Sequence, residues 1–171
     1  MKIKRLIVGI LDTNCYILTK DDNNLIIDPG DNAELICSNI KGKISGIIIT
    51  HYHFDHIGAL NELVNKFNVN IYDINNLIEG ENTIENFTFK VMYTPGHRED
   101  CITLLFENIM FSGDFIFEGT IGRTDLETGD FKKMQESIKK ILELNDDYII
   151  YPGHGNQTTL KKEIPNLKKY I

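Results

Sequence analysis

Short runs of apolar, mostly β-branched residues recur along the whole chain, and each run is bounded by Gly, Pro, Asn or Asp. Runs of this length between turn-forming residues are typical of β-strands. The segments that predict strands are Ile3–Ile10, Cys15–Leu18, Leu25–Ile27, Ile44–Ile49, Phe87–Tyr93, Ile102–Phe106, Met110–Phe111 and Tyr148–Tyr151. The chain is therefore expected to build its core around β-sheet.

Helical spacing separates these strands in several places. Apolar residues recur at intervals of three and four over Ile57–Phe67 and Phe131–Leu142, which predicts amphipathic helices that cover a sheet. Asp31–Ile40 and Gln157–Glu163 predict two further helices, and the polar stretch Asn75–Asn86 predicts an exposed loop. Strands that first follow one another and then alternate with helices indicate a layered α/β or α+β fold.

Length and charge narrow the class of protein. The chain has 171 residues, 42% of them hydrophobic, and a formal net charge of −7. This length favours a single domain over residues 1–171 with one substantial core. The acidic excess disfavours a nucleic-acid partner because a polyanion would be repelled. No apolar run approaches the roughly 18 residues of a membrane-spanning helix, so neither a membrane nor a nucleic acid is the expected partner.

The cysteines and the N-terminus help to predict the cellular compartment of the protein. Cys15, Cys37 and Cys101 are odd in number and include no CxxC pair, so they indicate neither a disulfide framework nor a thiolate zinc site. The first ten residues contain a short apolar run without the cleavage site of a secretory signal. Both features predict a cytoplasmic protein with reduced thiols.

A turn motif recurs after three predicted strands. Pro-Gly pairs, which turn the chain sharply out of a sheet, occur at Pro29-Gly30, Pro95-Gly96 and Pro152-Gly153, and the last two pairs directly precede His97 and His154. Loops at the carboxyl ends of strands are common positions for ligands in layered α/β folds. These two histidines are therefore candidate site residues.

The most unusual segment follows the strand that ends near Thr50. Six residues here include three histidines and an aspartate: His51, His53, Asp55 and His56. In a protein core these side chains would compete for polar partners, whereas a bound metal would provide a partner for all of them. The alternation of His51 and His53 places both on one side of an extended segment, while Asp55 and His56 follow a turn and should point to a neighbouring position. The spacing fits two metal ions better than one, and Asp114, also after a strand and a Gly turn, is a candidate bridging carboxylate.

The segments HYHFDH, TPGH, SGD and YPGH, in this order, resemble the metallo-β-lactamase superfamily, and specifically its small glyoxalase II-like hydrolases. The resemblance extends from Asn14 to Pro165 and includes the turns Ile26–Gly30 and Ile121–Asp125. It implies a four-layer αββα sandwich with the metals at one edge, between the two sheets.

The resemblance also assigns residues to two metal sites. His51, His53 and His97 would bind the first metal, Asp55, His56 and His154 would bind the second, and Asp114 would bridge them. Two divalent ions are implied, with zinc favoured and iron or manganese as alternatives. The implied activity is hydrolysis of a thioester such as an S-acylglutathione by a metal-bridging hydroxide, which Asp55 would orient.

Two further residues each have two possible roles. Arg123 is a candidate substrate contact or a structural ion-pair residue, and Asp28 is a candidate partner of a metal-bound histidine or a cap of the turn before Pro29. The segment Arg98–Cys101 departs from the subgroup's usual sequence, which leaves its role and the pocket rim open. Larger glyoxalase II enzymes hold glutathione with a C-terminal helical domain that this chain is not expected to contain, so the thiol of the substrate also stays open.

Several functions compete with thioester hydrolysis. A persulfide dioxygenase of similar sequence would hold one iron on two His and one Asp. A β-lactamase is disfavoured because Asp114 stands where those enzymes place Cys or Ser, and a nuclease of the superfamily would need an inserted domain and a basic surface. A non-catalytic metal-binding module is disfavoured by the complete set of ligand residues.

Overall fold

The computed structural model describes residues 1–171 and contains two sheets and a small hairpin. The first sheet has five strands in the spatial order β1 (Lys2–Val8), β2 (Thr13–Lys20), β3 (Asn23–Ile27), β4 (Lys43–Ile48) and β5 (Ile71–Tyr72). The second has six strands in the spatial order β13 (Thr158–Thr159), β12 (Ile149–Pro152), β9 (Ile109–Gly113), β8 (Ile102–Phe106), β7 (Phe87–Tyr93) and β6 (Gly80–Ile84). The hairpin pairs β10 (Ile116–Phe117) with β11 (Thr120–Ile121).

Helices connect the strands. They are α1 (Ala33–Ser38), α2 (Phe54–Ile57), α3 (Leu60–Phe67), α4 (Phe131–Leu142) and α5 (Leu160–Leu167). Side-chain oxygens of Asn32, Asp130 and Thr159 accept hydrogen bonds from the first free backbone N–H groups of α1, α4 and α5, which is why these helices begin where they do. None of the helices has the length and apolar character needed to cross a membrane.

The strand directions bring several carboxyl ends to one edge. In the first sheet β3, β4 and β5 run parallel, with α1 and then α2 and α3 as crossovers. In the second sheet β8 lies antiparallel between β7 and β9, so β7 and β9 share a direction, and β12 pairs parallel with β9. The loops after β7, β9 and β12 therefore leave the second sheet at the same edge.

Three apolar clusters define four layers. Alternation along each strand sends neighbouring residues to opposite faces: Leu25 packs between the two sheets, whereas Ile26 packs against α1 and α3. In the second sheet Leu104 faces the first sheet, and Leu105 faces the cluster that includes α4 and α5. The order helix, sheet, sheet, helix confirms the predicted α+β sandwich.

Most predicted strands and helices are present, with different ends. The first strand was expected to reach Ile10 but ends at Val8, because Gly9 takes a φ of 70° and the chain turns there. The last helix was expected over Gln157–Glu163 but begins at Leu160, because the two residues before it pair with β12 as a strand.

The prediction of an exposed loop over Asn75–Asn86 is wrong in part. Residues 80–84 form β6, the edge of the second sheet, which pairs antiparallel with β7. Glu81 and Thr83 point to solvent, and Ile84 is buried. A solvent-facing edge strand keeps polar residues at most of its positions, so it lacks the apolar run that identifies a central strand.

Candidate metal centre

The site lies where the carboxyl ends of strands from both sheets meet. His51 follows β4, His97 follows β7, Asp114 follows β9 and His154 follows β12. Backbone hydrogen bonds join the sheets at this edge, from Ile102 N to Thr50 O at 3.0 Å and from Asn14 N to Gly153 O at 2.7 Å. The edge is thus a fixed platform for side chains that are far apart in sequence.

Gly153 is required for this convergence. A Cβ atom at this position would overlap Oδ1 of Asp114 and lie 2.7 Å from Cε1 of His56. Only glycine lets the loop after β12 approach both side chains so closely. The second Pro-Gly-His turn therefore has a packing reason as well as a turn geometry.

One group of side chains contains three histidines and a carboxylate. Nδ1 of His53 lies 3.1 Å from Nε2 of His51 and 2.8 Å from Nε2 of His97. Oδ2 of Asp114 lies 3.8 Å from Nε2 of His51 and 3.5 Å from Nε2 of His97. All four residues offer a ligand atom within 4.8 Å of the others, so the group could hold one metal ion.

A second group lies on the other side of Asp114. Oδ2 of Asp55 is 3.5 Å from Nε2 of His56 and 3.1 Å from Nε2 of His154. Asp114 reaches this group as well, with Oδ1 3.3 Å from Nε2 of His56 and Oδ2 3.5 Å from Nε2 of His154. The structure therefore brings together all seven residues that the sequence singled out as ligands, with Asp114 between the two groups.

Hydrogen bonds on the outer side of the site orient four of the five rings. The Thr50 hydroxyl donates to Asp28, so its oxygen is free to accept from Nδ1 of His51. Acceptors of this kind fix a proton on Nδ1 and turn Nε2 toward the interior of the site. The outer partners are Thr50 Oγ1 for His51 (3.1 Å), Asp28 Oδ2 for His56 (2.9 Å), the Arg123 carbonyl for His97 (2.8 Å) and the Leu11 carbonyl for His154 (3.0 Å). His53 differs, since its Nδ1 faces the other ligands.

Asp28 contacts two residues of the site from below. Its buried carboxylate accepts hydrogen bonds from the Thr50 backbone N–H at 2.8 Å, from the Thr50 hydroxyl at 2.6 Å and from Nδ1 of His56 at 2.9 Å. From the sequence, Asp28 could either cap the turn before Pro29 or be the partner of a metal-bound histidine. The geometry places it against His56.

Arg123 lies at the cleft, but its side chain is already paired. Its guanidinium makes two hydrogen bonds of 2.8 Å with the carboxylate of Asp125, and both side chains are exposed. Its backbone carbonyl accepts from His97. The direct contact that the structure shows is therefore with a candidate ligand, and a substrate contact stays a prediction.

The unusual segment Arg98–Cys101 supports the loop that carries His51 and His53. The carboxylate of Asp100 accepts from Nε of Arg98 at 2.9 Å and from the backbone N–H of Tyr52 at 3.1 Å. Sequence reasoning left this role open, because the connection runs to the backbone of a residue 48 positions away.

Thr13 is a further residue of the site that the sequence does not predict. Its hydroxyl donates to Oδ2 of Asp55 at 2.8 Å. A threonine at the start of a strand is ordinary, so no sequence signal marks it. The first hairpin thus contacts Asp55 through Thr13 and His154 through the Leu11 carbonyl.

The charges in the site are strongly coupled. Burial and the neighbouring His56 hold the pKa of His51 well below its ordinary value. Burial opposes the charged form of His56, but Asp28 and Asp114 outweigh it and raise the pKa to about 10. Burial likewise opposes the charge on His154, whose hydrogen bonds to Asp114 and Asp55 raise its pKa to about 10.

The two acids respond in the opposite sense. Burial opposes ionisation of Asp114, but the neighbouring imidazoles of His154 and His56 hold its pKa well below the usual range. Burial has the same effect on Asp55, and contacts with His154, His56 and Thr13 lower its pKa to about 2. Without a cation the two acids are ionised, and the imidazoles of His56 and His154 each carry a second proton. A metal would have to displace these second protons.

The residues fit a metal on structural grounds. Nε2 of His56 and Oδ1 of Asp114 are buried and have no hydrogen-bond partner. Leaving such atoms unsatisfied costs about 1–3 kcal/mol each, and a divalent cation would satisfy both. Imidazole and carboxylate donors suit zinc, iron and manganese alike.

A cleft of about 310 Å³ opens above these groups. Five of its lining residues are candidate ligands, and the rest form its walls. The lining residues are Leu11, His53, Phe54, Asp55, His97, Asp114, Arg123, Leu126 and His154. A substrate in this cleft would meet the carboxylates and imidazoles at its floor.

Comparisons with known proteins agree with this geometry. A family model for the metallo-beta-lactamase superfamily matches residues 8–75 and 70–154. The curated relative hydroxyacylglutathione hydrolase GloC of Haemophilus influenzae is 32% identical in an alignment that covers 95% of this chain and 95% of the relative.

Two solved structures extend the similarity to the fold. The crystal structure of the B3 metallo-beta-lactamase BLEG-1 has a TM-score of 0.90 and 32% identity, covering 96% of this chain and 97% of that one. The crystal structure of TTHA1623 in a di-iron-bound form has a TM-score of 0.83 and 28% identity, covering 94% of this chain and 96% of that one.

Proposed function

The chain belongs to the metallo-beta-lactamase superfamily, and on that premise we propose that it is a metal-dependent hydrolase of thioesters, with S-acylglutathione-type compounds as its first candidate substrates. The observation that carries the proposal is the position of Asp114 between two groups of ligand side chains. The relative named as a hydroxyacylglutathione hydrolase, similar along nearly its whole length, supports the substrate class.

The proposed metal ligands follow from the two groups. His51, His53 and His97 would hold one divalent ion, Asp55, His56 and His154 would hold a second, and Asp114 would contact both. Zinc is the first candidate. Iron is the alternative, because the di-iron form of TTHA1623 belongs to a structurally similar chain and the donor types do not separate the two metals.

Hydrolysis adds water across the thioester: a C–O bond forms at the acyl carbon, the C–S bond breaks, and the products are a carboxylic acid and a thiol. When bound, the ions would supply a water whose pKa they lower to about 7, and they would polarise the carbonyl oxygen. Asp55, fixed by Thr13 at the floor of the cleft, would orient the attacking water.

No cysteine nucleophile is available for a covalent route. Cys101 and Cys15 are buried, and burial raises the pKa of each thiol. Cys37 is partly buried, and none of the three cysteines lines the cleft. Direct attack by water is therefore the route that these residues favour.

A β-lactam amide is the second candidate substrate. The structure of BLEG-1, named as a B3 metallo-beta-lactamase, matches this chain at a TM-score of 0.90. Both substrates place a carbonyl carbon under attack by water, so the cleft floor alone does not separate them. The leaving group, a thiolate or an amine, makes the difference.

The test begins with metal-free protein reconstituted separately with zinc, iron and manganese. Each sample is assayed on a panel of S-acyl thiols, on a chromogenic cephalosporin, and on glutathione persulfide with an oxygen electrode. We expect metal-dependent thioester hydrolysis to exceed the other activities. Cephalosporin hydrolysis alone, oxygen consumption with one iron per chain, or metal binding without any turnover would each refute the proposal in favour of another function.

A further inference from the structure

We propose that Leu11, Phe54 and Leu126, here called the apolar wall, bind an apolar substituent of the thioester and make chain length the main determinant of substrate choice. This inference rests on the proposed function and adds the substrate class. The three residues line the same cleft as the candidate ligands. Each is a large apolar side chain that the fold leaves exposed, at 48%, 67% and 39% respectively.

The convergence of these residues is the first reason for the proposal. Leu11 comes from the β1–β2 turn, Phe54 from the start of α2 and Leu126 from the loop after β11. A single exposed apolar residue needs no explanation. Three from separate segments that line one cleft beside polar groups are typical of a binding site.

Phe54 has no structural role that would explain its exposure. His53 and Asp55, on either side of it, point toward the ligand groups, so the chain turns the intervening side chain outward. A polar residue would serve equally well at an exposed position of a short helix. The aromatic ring instead stands at the mouth of the cleft.

A second cavity adjoins the cleft at Phe54 and Asp55. It has a volume of about 160 Å³ and shares Phe54 and Asp55 with the first. Its remaining lining is largely backbone and one apolar residue of the first hairpin, and it consists of Gly9, Ile10, Gly30, Asp31 and Gly58. A chain that starts at a carbonyl above Asp55 could pass the ring of Phe54 and enter this space.

The distribution of positive charge supports an apolar substituent over an anionic one. Arg123 is the only Lys or Arg among the residues that line the two cavities, and its guanidinium is paired with Asp125. Asp31 and Asp55 add negative charge in the second cavity. An anionic substituent would therefore gain little at the apolar wall, whereas an alkyl chain gains from leaving water.

The test uses metal-loaded protein and two series of thioesters. One series lengthens the acyl chain from acetyl to octanoyl on a fixed small thiol, and the other lengthens an alkyl thiol that carries an acetyl group. We expect kcat/KM to rise about two- to fourfold per methylene in at least one series. The series that responds identifies whether the acyl or the thiol side lies on the apolar wall.

Variants and a binding assay make the test specific. Phe54→Ser and Leu126→Ser should flatten the responding series, while Phe54→Leu should retain most of it. Ile78→Ser is the matched control, since Ile78 is 65% exposed and lines neither cavity; it should behave as wild type. Affinities of S-alkyl thioethers, which cannot be hydrolysed, should follow the same chain-length dependence by calorimetry.

The outcomes separate this inference from the proposed function. Thioester hydrolysis with no chain-length dependence would overturn the apolar wall and leave the hydrolase standing. Absence of all thioester hydrolysis would overturn the proposed function, and thioether affinities independent of chain length would still overturn the wall. If Phe54→Ser changes the oligomeric state but not the series, the exposed residues form a contact between copies of the chain, and the inference is wrong.

Discussion

Replacing Asp28 by Asn probes how the protein orients its candidate ligands. The substitution preserves the size of the side chain but replaces a carboxylate by an amide, which has only one accepting oxygen. The carboxylate accepts hydrogen bonds from Thr50 N, Thr50 Oγ1 and His56 Nδ1. At least one buried donor then faces the amide NH₂ group. Because a hydrogen bond to a charged group contributes about 1.5–3 kcal/mol, the free energy of unfolding should fall by about that amount.

Metal affinity should fall by a comparable free energy. Loss of a carboxylate that orients a metal-bound histidine typically costs about 10- to 100-fold in affinity. The assay is a titration of metal-free protein with zinc in competition with a chelator, together with denaturant unfolding. Asp22→Asn is the matched control, because Asp22 is exposed and its φ of 60° is close to the 51° of Asp28. Unchanged zinc affinity in a destabilised Asp28→Asn protein would refute the orienting role.

Three further predictions follow from burial, charge and close packing. In the folded protein only Cys37 should react with a thiol reagent at pH 8, and unfolding should expose two more thiols, because burial raises the pKa of the other two cysteines. Zinc uptake should release protons and weaken as the pH falls below about 10, because His56 and His154 hold protons in the metal-free site; calorimetry in buffers of different ionisation enthalpy measures this, and uptake without proton release would contradict it. Gly153→Ala should reduce zinc affinity at least about 10-fold, since the added methyl overlaps Asp114, and a variant that binds zinc as wild type does would show that the loop can yield.

The candidate ligand residues could be singled out from the sequence because each carries a local signal. HYHFDH is a dense cluster of donors directly after a strand, and Asp114 and the last two histidines each follow a strand and a turn. The resemblance to the metallo-β-lactamase superfamily, rather than strand order, predicts that they lie together, because β4 belongs to one sheet and β7, β9 and β12 belong to the other. The layered fold was accessible through the alternation of apolar residues.

The groups that orient the ligands could not be predicted in the same way. The partners of His97 and His154 are the backbone carbonyls of Arg123 and Leu11, and every residue has a carbonyl, so the sequence contains no trace of the choice. Thr13 and Asp100 act across 42 and 48 positions. Only the packing of the two sheets brings such residues into contact.

Element ends failed where two structures competed locally. The strand β6 lies at a solvent-facing edge and therefore looks like a polar loop. Two-residue strands such as β13 are too short to carry a periodic pattern, yet pairing with β12 delays the start of α5. These differences lie outside the candidate ligand set and leave it intact.

The most direct test of the central claim is the number of divalent ions bound per chain, measured together with thioester hydrolysis on wild type and on Asp114→Ala. We predict two ions per wild-type chain, and in Asp114→Ala a lower metal content and hydrolysis reduced by orders of magnitude with an unchanged circular dichroism spectrum. One ion per chain at full activity, or wild-type turnover in Asp114→Ala, would contradict the proposal that Asp114 joins two metal sites.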